Sequence, residues 1–194
     1  PLRHHAATVT ALQWAPDGEH YAVALAPTPL IDDEYMSRDI FVVRARDAKV
    51  RNTMGLVGKF DGFAWSPDGE RIAYWSDRSG EYQLVLRQAD GKGEEKFLTG
   101  DLKSWPSGLV WSPDSEELLF RNAALGLYTV EVDGGKLTEI ARSAQRTAID
   151  FDWSPDSRWV AYIVAGENQF SSLFLYDTEA GQSHQITTEL TSEG

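Results

Sequence analysis

The sequence predicts an all-β fold: a β-propeller segment of about four four-stranded antiparallel blades, part of a larger or oligomeric ring. Three observations predict it. A five-residue turn recurs four times, as Trp14-Ala15-Pro16-Asp17-Gly18, Trp65-Ser66-Pro67-Asp68-Gly69, Trp111-Ser112-Pro113-Asp114-Ser115 and Trp153-Ser154-Pro155-Asp156-Ser157. The Trp-to-Trp spacings are 51, 46 and 42 residues, the length of one four-stranded blade. Each turn is followed by the same succession of short apolar runs bounded by Gly, Pro and Asp, a pattern of strands. No long stretch shows helical periodicity.

The turn comes first in each unit. Pro presets φ for the second position of a β-turn, and Asp bonds its own backbone. Gly at the fifth position supplies positive φ. Ser115 and Ser157 replace it in the last two copies, which predicts that positive φ is not required there. The Trp before the turn is a large apolar plate suited to packing between neighbouring blades.

A second strand follows each turn: Tyr21 to Leu25, Arg71 to Trp75, Leu118 to Phe120 and Trp159 to Val164. A loop leads to a third strand: Ile40 to Val43, Gln83 to Leu86, Leu127 to Val132 and Leu173 to Tyr176. Short turns at Asp90-Gly91, Asp133-Gly134-Gly135 and Glu179-Ala180-Gly181 precede outer strands at Lys96 to Leu98, Leu137 to Ile140 and His184 to Thr187. The whole chain, 1–194, reads as one propeller region with blades at about 6–55, 56–102, 103–144 and 145–190.

The repeat resembles the TolB-type propeller repeat. The resemblance rests on Trp-Ser-Pro-Asp-Gly, the Ile-Ala-Tyr strand at Ile72-Ala73-Tyr74 and the later Leu-Tyr-Val-type strand. The stretches Ile72 to Tyr82 and Phe151 to Asp177 are similar to the propeller of tricorn-type proteases. The loop Ala26 to Met36 is similar to propellers of acylaminoacyl-peptidase-like members of the prolyl oligopeptidase family. These resemblances cover nearly the whole chain. They imply a non-catalytic propeller that gates or binds peptide substrates, or docks the catalytic core of a peptidase. A TolB-type protein-interaction or sensor propeller is the alternative, as is an engineered partial propeller that self-assembles.

Composition narrows the partners. Asp and Glu outnumber Lys and Arg by 30 to 18, giving a net charge of −12 without a basic cluster. That argues against nucleic acid and anionic membrane surfaces. No apolar run reaches the 18 residues of a membrane span, so membrane insertion is not expected. With no cysteine, disulfides and thiol chemistry are excluded. A soluble protein of the cytoplasm, the periplasm or the secreted fraction fits equally. The chain starts at Pro1 and stops at Gly194, where a further inner strand would begin. The expected partners are therefore a peptide or protein, and self-association through open blade edges.

Catalytic motifs are missing from the sequence. It holds no Gly-x-Ser-x-Gly elbow and no His-Glu-x-x-His zinc helix. No cofactor is expected, and His4, His5, His20 and His184 read as solvent-facing. The run Asp32-Asp33-Glu34 offers hard oxygen ligands but lacks the spacing of a calcium loop, and reads as a solvated loop.

Strand order sorts the loops. If the Pro-Asp turns mark one end of the blades, the second-to-third-strand loops and the interblade links mark the other. That end collects Tyr35, Met36, Arg78, Tyr82, Trp105, Arg121, Arg142, Arg146 and Phe170. Aromatics, Met and Arg are the residues in which binding surfaces are enriched, so these nine form the candidate binding face.

Overall fold

The computed structural model describes residues 7–100, 102, 104–143, 150–165 and 170–187. Among them are four four-stranded antiparallel sheets, each in simple meander order. The chain divides into two compact units, Pro1–Lys103 and Ser104–Gly194, with two sheets in each.

The first unit holds blades 1 and 2. Blade 1 comprises β1 (Thr8–Trp14), β2 (His20–Ala26), β3 (Asp39–Arg44) and β4 (Lys49–Thr53). A short helix, α1 (Ile31–Met36), lies between β2 and β3. Blade 2 comprises β5 (Phe60–Trp65), β6 (Arg71–Ser76), β7 (Gln83–Gln88) and β8 (Lys96–Phe97). The second unit holds blade 3, with β9 (Pro106–Trp111), β10 (Glu117–Asn122), β11 (Gly126–Glu131) and β12 (Leu137–Arg142). Blade 4 has β13 (Asp150–Trp153), β14 (Trp159–Ala165), β15 (Ser171–Asp177) and β16 (Gln182–Gln185).

Helix α1 was not expected, and it absorbs the acidic run. Asp32, Asp33 and Glu34 fill its first turn, where negative charge meets the positive end of the peptide dipoles. Thr28 donates its hydroxyl to the Asp33 carboxylate and accepts the Leu30 N–H at 3.2 Å.

The recurring turn closes on itself through a small hydrogen-bond knot. In blade 2 the Ser66 hydroxyl accepts the Arg71 N–H at 2.9 Å and donates to Asp68. Asp68 in turn accepts the Glu70 N–H at 2.9 Å. Ser112 accepts the Glu117 N–H at 2.9 Å, and Ser154 accepts the Trp159 N–H at 2.8 Å. Burial would raise the Asp68 carboxyl, but Ser66, the Glu70 N–H and Arg71 outweigh it and hold it below the ordinary value.

Blade 1 solves the same problem without the hydroxyl. Ala15 stands at the Ser position, and Asp17 accepts both the Glu19 N–H at 2.7 Å and the His20 N–H at 2.9 Å. The carboxylate thus replaces the missing acceptor. This natural control sets the expected size of a substitution. An orphaned N–H costs about 1–3 kcal/mol. Asp68 can make the swing that Asp17 makes, so Ser66→Ala should cost only about 1 kcal/mol. Urea unfolding of Ser66→Ala against the parent chain checks this, and Ser66→Ala/Asp68→Ala should lose distinctly more.

The fifth turn position corrects one expectation. Ser115 and Ser157 have φ of 65° and 61°, beside 66° at Gly18 and 78° at Gly69. Positive φ is therefore kept in all four copies. The hairpin geometry imposes it, because the fifth-position N–H always returns to the second-position carbonyl, as from Ser157 to Ser154 at 3.0 Å. At Ser157 the strain has a return. Its hydroxyl accepts the Asp114 N–H of the preceding blade's turn at 3.0 Å, a bond glycine cannot make.

Packing within each unit follows one rule. The Trp-bearing face of the later blade lies on the opposite face of the earlier one. In the first unit Trp65, Ile72, Tyr74 and Val85 of blade 2 pack on Ala15, Ala22, Ala24, Ile40 and Val42 of blade 1. In the second, Trp153, Val160, Tyr162 and Tyr176 of blade 4 pack on Leu119, Leu127 and Ile140 of blade 3. Strand register accounts for the sorting. Trp65 stands opposite Ile72, and Tyr74 opposite Val85, so large residues share one face of the pleat. In the first unit the other face, set by Ala22 and Ala24, is cut low to receive them.

Candidate functional site

Antiparallel order places the β2–β3 and β6–β7 loops at the ends of their blades away from the Pro-Asp turns. In the first unit these loops carry four of the nine candidate residues. Tyr35 and Met36, on α1, are 56% and 53% exposed. No residue of α1 is buried, so the helix presents its side chains to solvent rather than to a core.

Two residues beyond α1, Arg38 turns towards blade 2. It donates to the Phe60 carbonyl and lies over the Phe60 ring, 4.6 Å from its centroid. Its Nε is buried without a hydrogen-bond partner. Arg38 also acts on Tyr82, the third candidate. Burial, then the carboxylates of Asp77 and Asp61, push the Tyr82 hydroxyl up, and Arg38 opposes them. Asp77 accepts the Lys59 N–H at 2.7 Å and so ties the β6–β7 loop to the interblade link. Tyr82 is therefore set among one guanidinium and two carboxylates.

Arg78, the fourth candidate, turns to a different place. It pairs with Glu95, which also accepts the Tyr74 hydroxyl at 3.0 Å and faces Arg87 at 3.7 Å. Arg87 is anchored on the Met54 carbonyl, with its Nε buried and unpartnered. Burial, followed by the Glu95 charge, drives the Tyr74 hydroxyl well above the ordinary tyrosine value. Arg78, Arg87 and Glu95 border an open cavity of about 490 Å³, together with Gly55, Gly93, Glu94 and Phe97. Two guanidiniums meet two carboxylates there, so the lining is neutral.

The second unit carries the other candidates. Trp105 and Phe170 are 53% and 57% exposed. Arg121 donates from Nε to the Ser107 hydroxyl at 3.2 Å and lies 5.9 Å from the centre of the Phe151 ring. Arg142 binds the Ala124 carbonyl at 2.8 Å, the Tyr128 hydroxyl at 2.5 Å and the Glu139 carboxylate at 3.0 and 2.6 Å. It serves as a latch joining β12 to the β10–β11 turn, and it holds Glu139 below the usual carboxylate range. Arg146 lies outside the described residues, as do His4 and His5.

The eight described candidates thus fall into separate groups. Tyr35, Met36 and Tyr82 lie at one end of the first unit, and Arg78 is drawn into the Glu95 cluster. Arg121 and Arg142 are engaged within the second unit. Sequence reasoning missed Arg38 and Glu95. Arg38 falls inside the β2–β3 loop, and its role depends on Phe60, which the sequence does not place beside it.

Other chemistry is sparse. Of the described histidines, His20 is bound by Asp17 at 2.7 Å and His184 is exposed on β16. Among the described residues no three His, Asp or Glu side chains are grouped to hold a metal ion, and no helix is long and apolar enough to cross a membrane.

No protein-family model matches the chain. Over 192 residues it is 27% identical to an uncharacterized peptidase, YuxL, of Bacillus subtilis, covering 96% of this chain and 27% of the relative. Over 96 residues it is 31% identical to a tricorn protease homolog of Saccharolobus solfataricus, covering 50% of this chain and 8% of that protein. The chain therefore spans about a quarter or less of the length of these curated relatives. Among solved structures, TolB from Acinetobacter baumannii superimposes with a TM-score of 0.66 at 14% identity, over 93% of this chain and 44% of TolB. The chain has the TolB-like β-propeller fold, and its sequence is similar to those of a peptidase and a tricorn protease homolog.

Proposed function

We propose that this chain is a non-catalytic propeller that binds peptide segments at the loop end of its first unit, on behalf of a peptidase. The observation that carries the reading is the α1–Tyr82 cluster. Tyr35 and Met36 project from a helix with no core to cover, two residues before Arg38, and the charges of Arg38, Asp61 and Asp77 all act on Tyr82. Exposed aromatics supply contact area at low entropic cost, and Met adapts to varied side chains. One guanidinium and two carboxylates offer a peptide backbone and its termini both donor and acceptor groups. Similarity to a peptidase and to a tricorn protease homolog supports placing such a site beside proteolysis. The binding of His20 within a turn supports a role without catalysis.

The test uses fluorophore-labelled peptides from a casein digest. Binding measured by fluorescence anisotropy should weaken about 10-fold or more in Tyr35→Ala/Tyr82→Ala. The peptides should emerge uncut after prolonged incubation. Unchanged binding in the double variant, or peptide cleavage by the chain itself, would count against the reading. A TolB-type interaction module remains the second reading, favoured by the superposition on TolB. It predicts capture of a folded protein and no affinity for the digest.

A further inference from the structure

The cavity beside Arg78 lies wholly within the first unit and holds about 490 Å³ of space, in the size range of small-molecule clefts. Phe97 on β8 stands opposite Val85 on β7, on the face that blade 2 turns to blade 1. Its ring is nevertheless 42% exposed, and it gives the cavity an apolar wall. Gly55 borders the cavity from the link between the two blades, and a Cβ added there would meet nothing within 4 Å. That part of the lining is bare backbone.

The charged part of the lining is only partly spent inside the chain. Glu95 is fully engaged. It accepts the Tyr74 hydroxyl at 3.0 Å and Arg78, and it faces Arg87 at 3.7 Å. Arg87 in turn donates to the Met54 and Gly91 carbonyls. Arg78 gives only Nη1 to Glu95. Its Nε and Nη2 have no partner among the described residues, and its side chain is 49% exposed. That edge of a guanidinium presents two parallel N–H groups, a fork that takes a carboxylate with two bonds. Glu94 is the counterpart. It borders the same cavity, is exposed, and forms no ion pair among the described residues. Its carboxylate is free to accept from an ammonium group.

We infer that this cavity is a binding site for a small zwitterion with an apolar side chain, an amino acid or a dipeptide. The ligand carboxylate lies on the Nε–Nη2 edge of Arg78, its ammonium on Glu94 and its side chain against Phe97. Charge balance selects this class. A simple anion drawn to Arg78 would also meet Glu94 and Glu95, and a simple cation drawn to Glu94 would meet two guanidiniums. A ligand bearing both charges finds an opposite charge for each. Arg87 and Tyr74 are positioning residues. By fixing Glu95 they hold the Arg78 fork in place before a ligand arrives, which lowers the ordering cost of binding. The site shares no residue with the α1–Tyr82 cluster, so it goes beyond the peptide-binding reading and stands or falls separately from it.

The test titrates leucyl-leucine into the isotope-labelled chain and follows the amide resonances by NMR. Those of Gly93, Glu94 and Phe97 should shift and saturate. N-acetyl-leucyl-leucine lacks the ammonium and leucyl-leucine amide lacks the carboxylate. Each should bind about 10-fold or more weakly, the scale of one lost hydrogen bond to a charged group. Glu94→Gln alters an exposed side chain that makes no ion pair in the described fold. It should weaken leucyl-leucine about 10-fold and leave N-acetyl-leucyl-leucine unaffected. Absence of saturable shifts at these three amides would overturn the proposal. So would capped dipeptides that bind as tightly as leucyl-leucine, or a Glu94→Gln change that weakens capped and uncapped forms alike.

Discussion

Trp65→Ala should destabilise the chain by about 3–5 kcal/mol, the range for emptying a buried aromatic site. Trp65 is 7% exposed and lies on Ala15, Ala22 and Ala24 of the neighbouring blade. Small residues on a sheet face cannot reach into the vacated space, so the cavity persists and the cost stays at the high end. The indole N–H is also lost from the Gly69 carbonyl, 3.0 Å away, which loosens the turn that follows. Guanidinium unfolding followed by circular dichroism gives the value. Trp14→Ala provides the contrast. The same motif position, 57% exposed, should cost under about 1 kcal/mol. A similar loss at both positions would mean that the motif Trp acts through its own turn and not through the adjacent blade.

The second large effect belongs to Glu95. Glu95→Ala should cost about 2–3 kcal/mol. Breaking a fully buried ion pair costs about 3–5 kcal/mol, and solvent screening reduces that here. Arg78 is half-exposed and rehydrates readily, whereas Arg87 is more covered and Tyr74 is buried. Glu95→Gln separates the two contributions. It keeps an acceptor for Tyr74 and removes the charge, so it should recover about 1 kcal/mol of the loss. Denaturation of both variants, with Arg78→Ala as the partner in a double-mutant cycle, measures the coupling. A cycle that closes near zero for Arg78 would assign the effect to Arg87 and Tyr74 alone.

Much of this was legible before the fold was known. Four Trp-x-Pro-Asp turns at blade spacing give the sheets, because the signal is local and repeated. The second and third strands follow from apolar runs whose partners are the next run along. What escaped the sequence reading involves either weak local signals or distant partners. Helix α1 is only six residues long, too short for periodicity to register. The positive φ of Ser115 and Ser157 is imposed by hairpin closure, and residue preference alone points the other way. The candidate site was legible as a set of loops but not as a set of contacts. Arg142 looked like a binding residue because it is a loop-end arginine, and four of its five N–H donors are engaged by Ala124, Tyr128 and Glu139. Arg38 and Glu95 matter through residues 22 and 21 positions away, a separation that no local pattern encodes.

The one-way packing of the blades has a consequence for synthesis. In both units the large face belongs to the later blade and the receiving face to the earlier one. A chain leaving the ribosome completes the receiving face first. The self-closed turn lets each new hairpin form from its own residues. When Trp65 or Trp153 emerges, a finished surface already waits for it, and the aromatic plates spend little time exposed to other nascent chains. Reversed polarity, with each plate made before its seat, would leave a sticky intermediate at every step of translation.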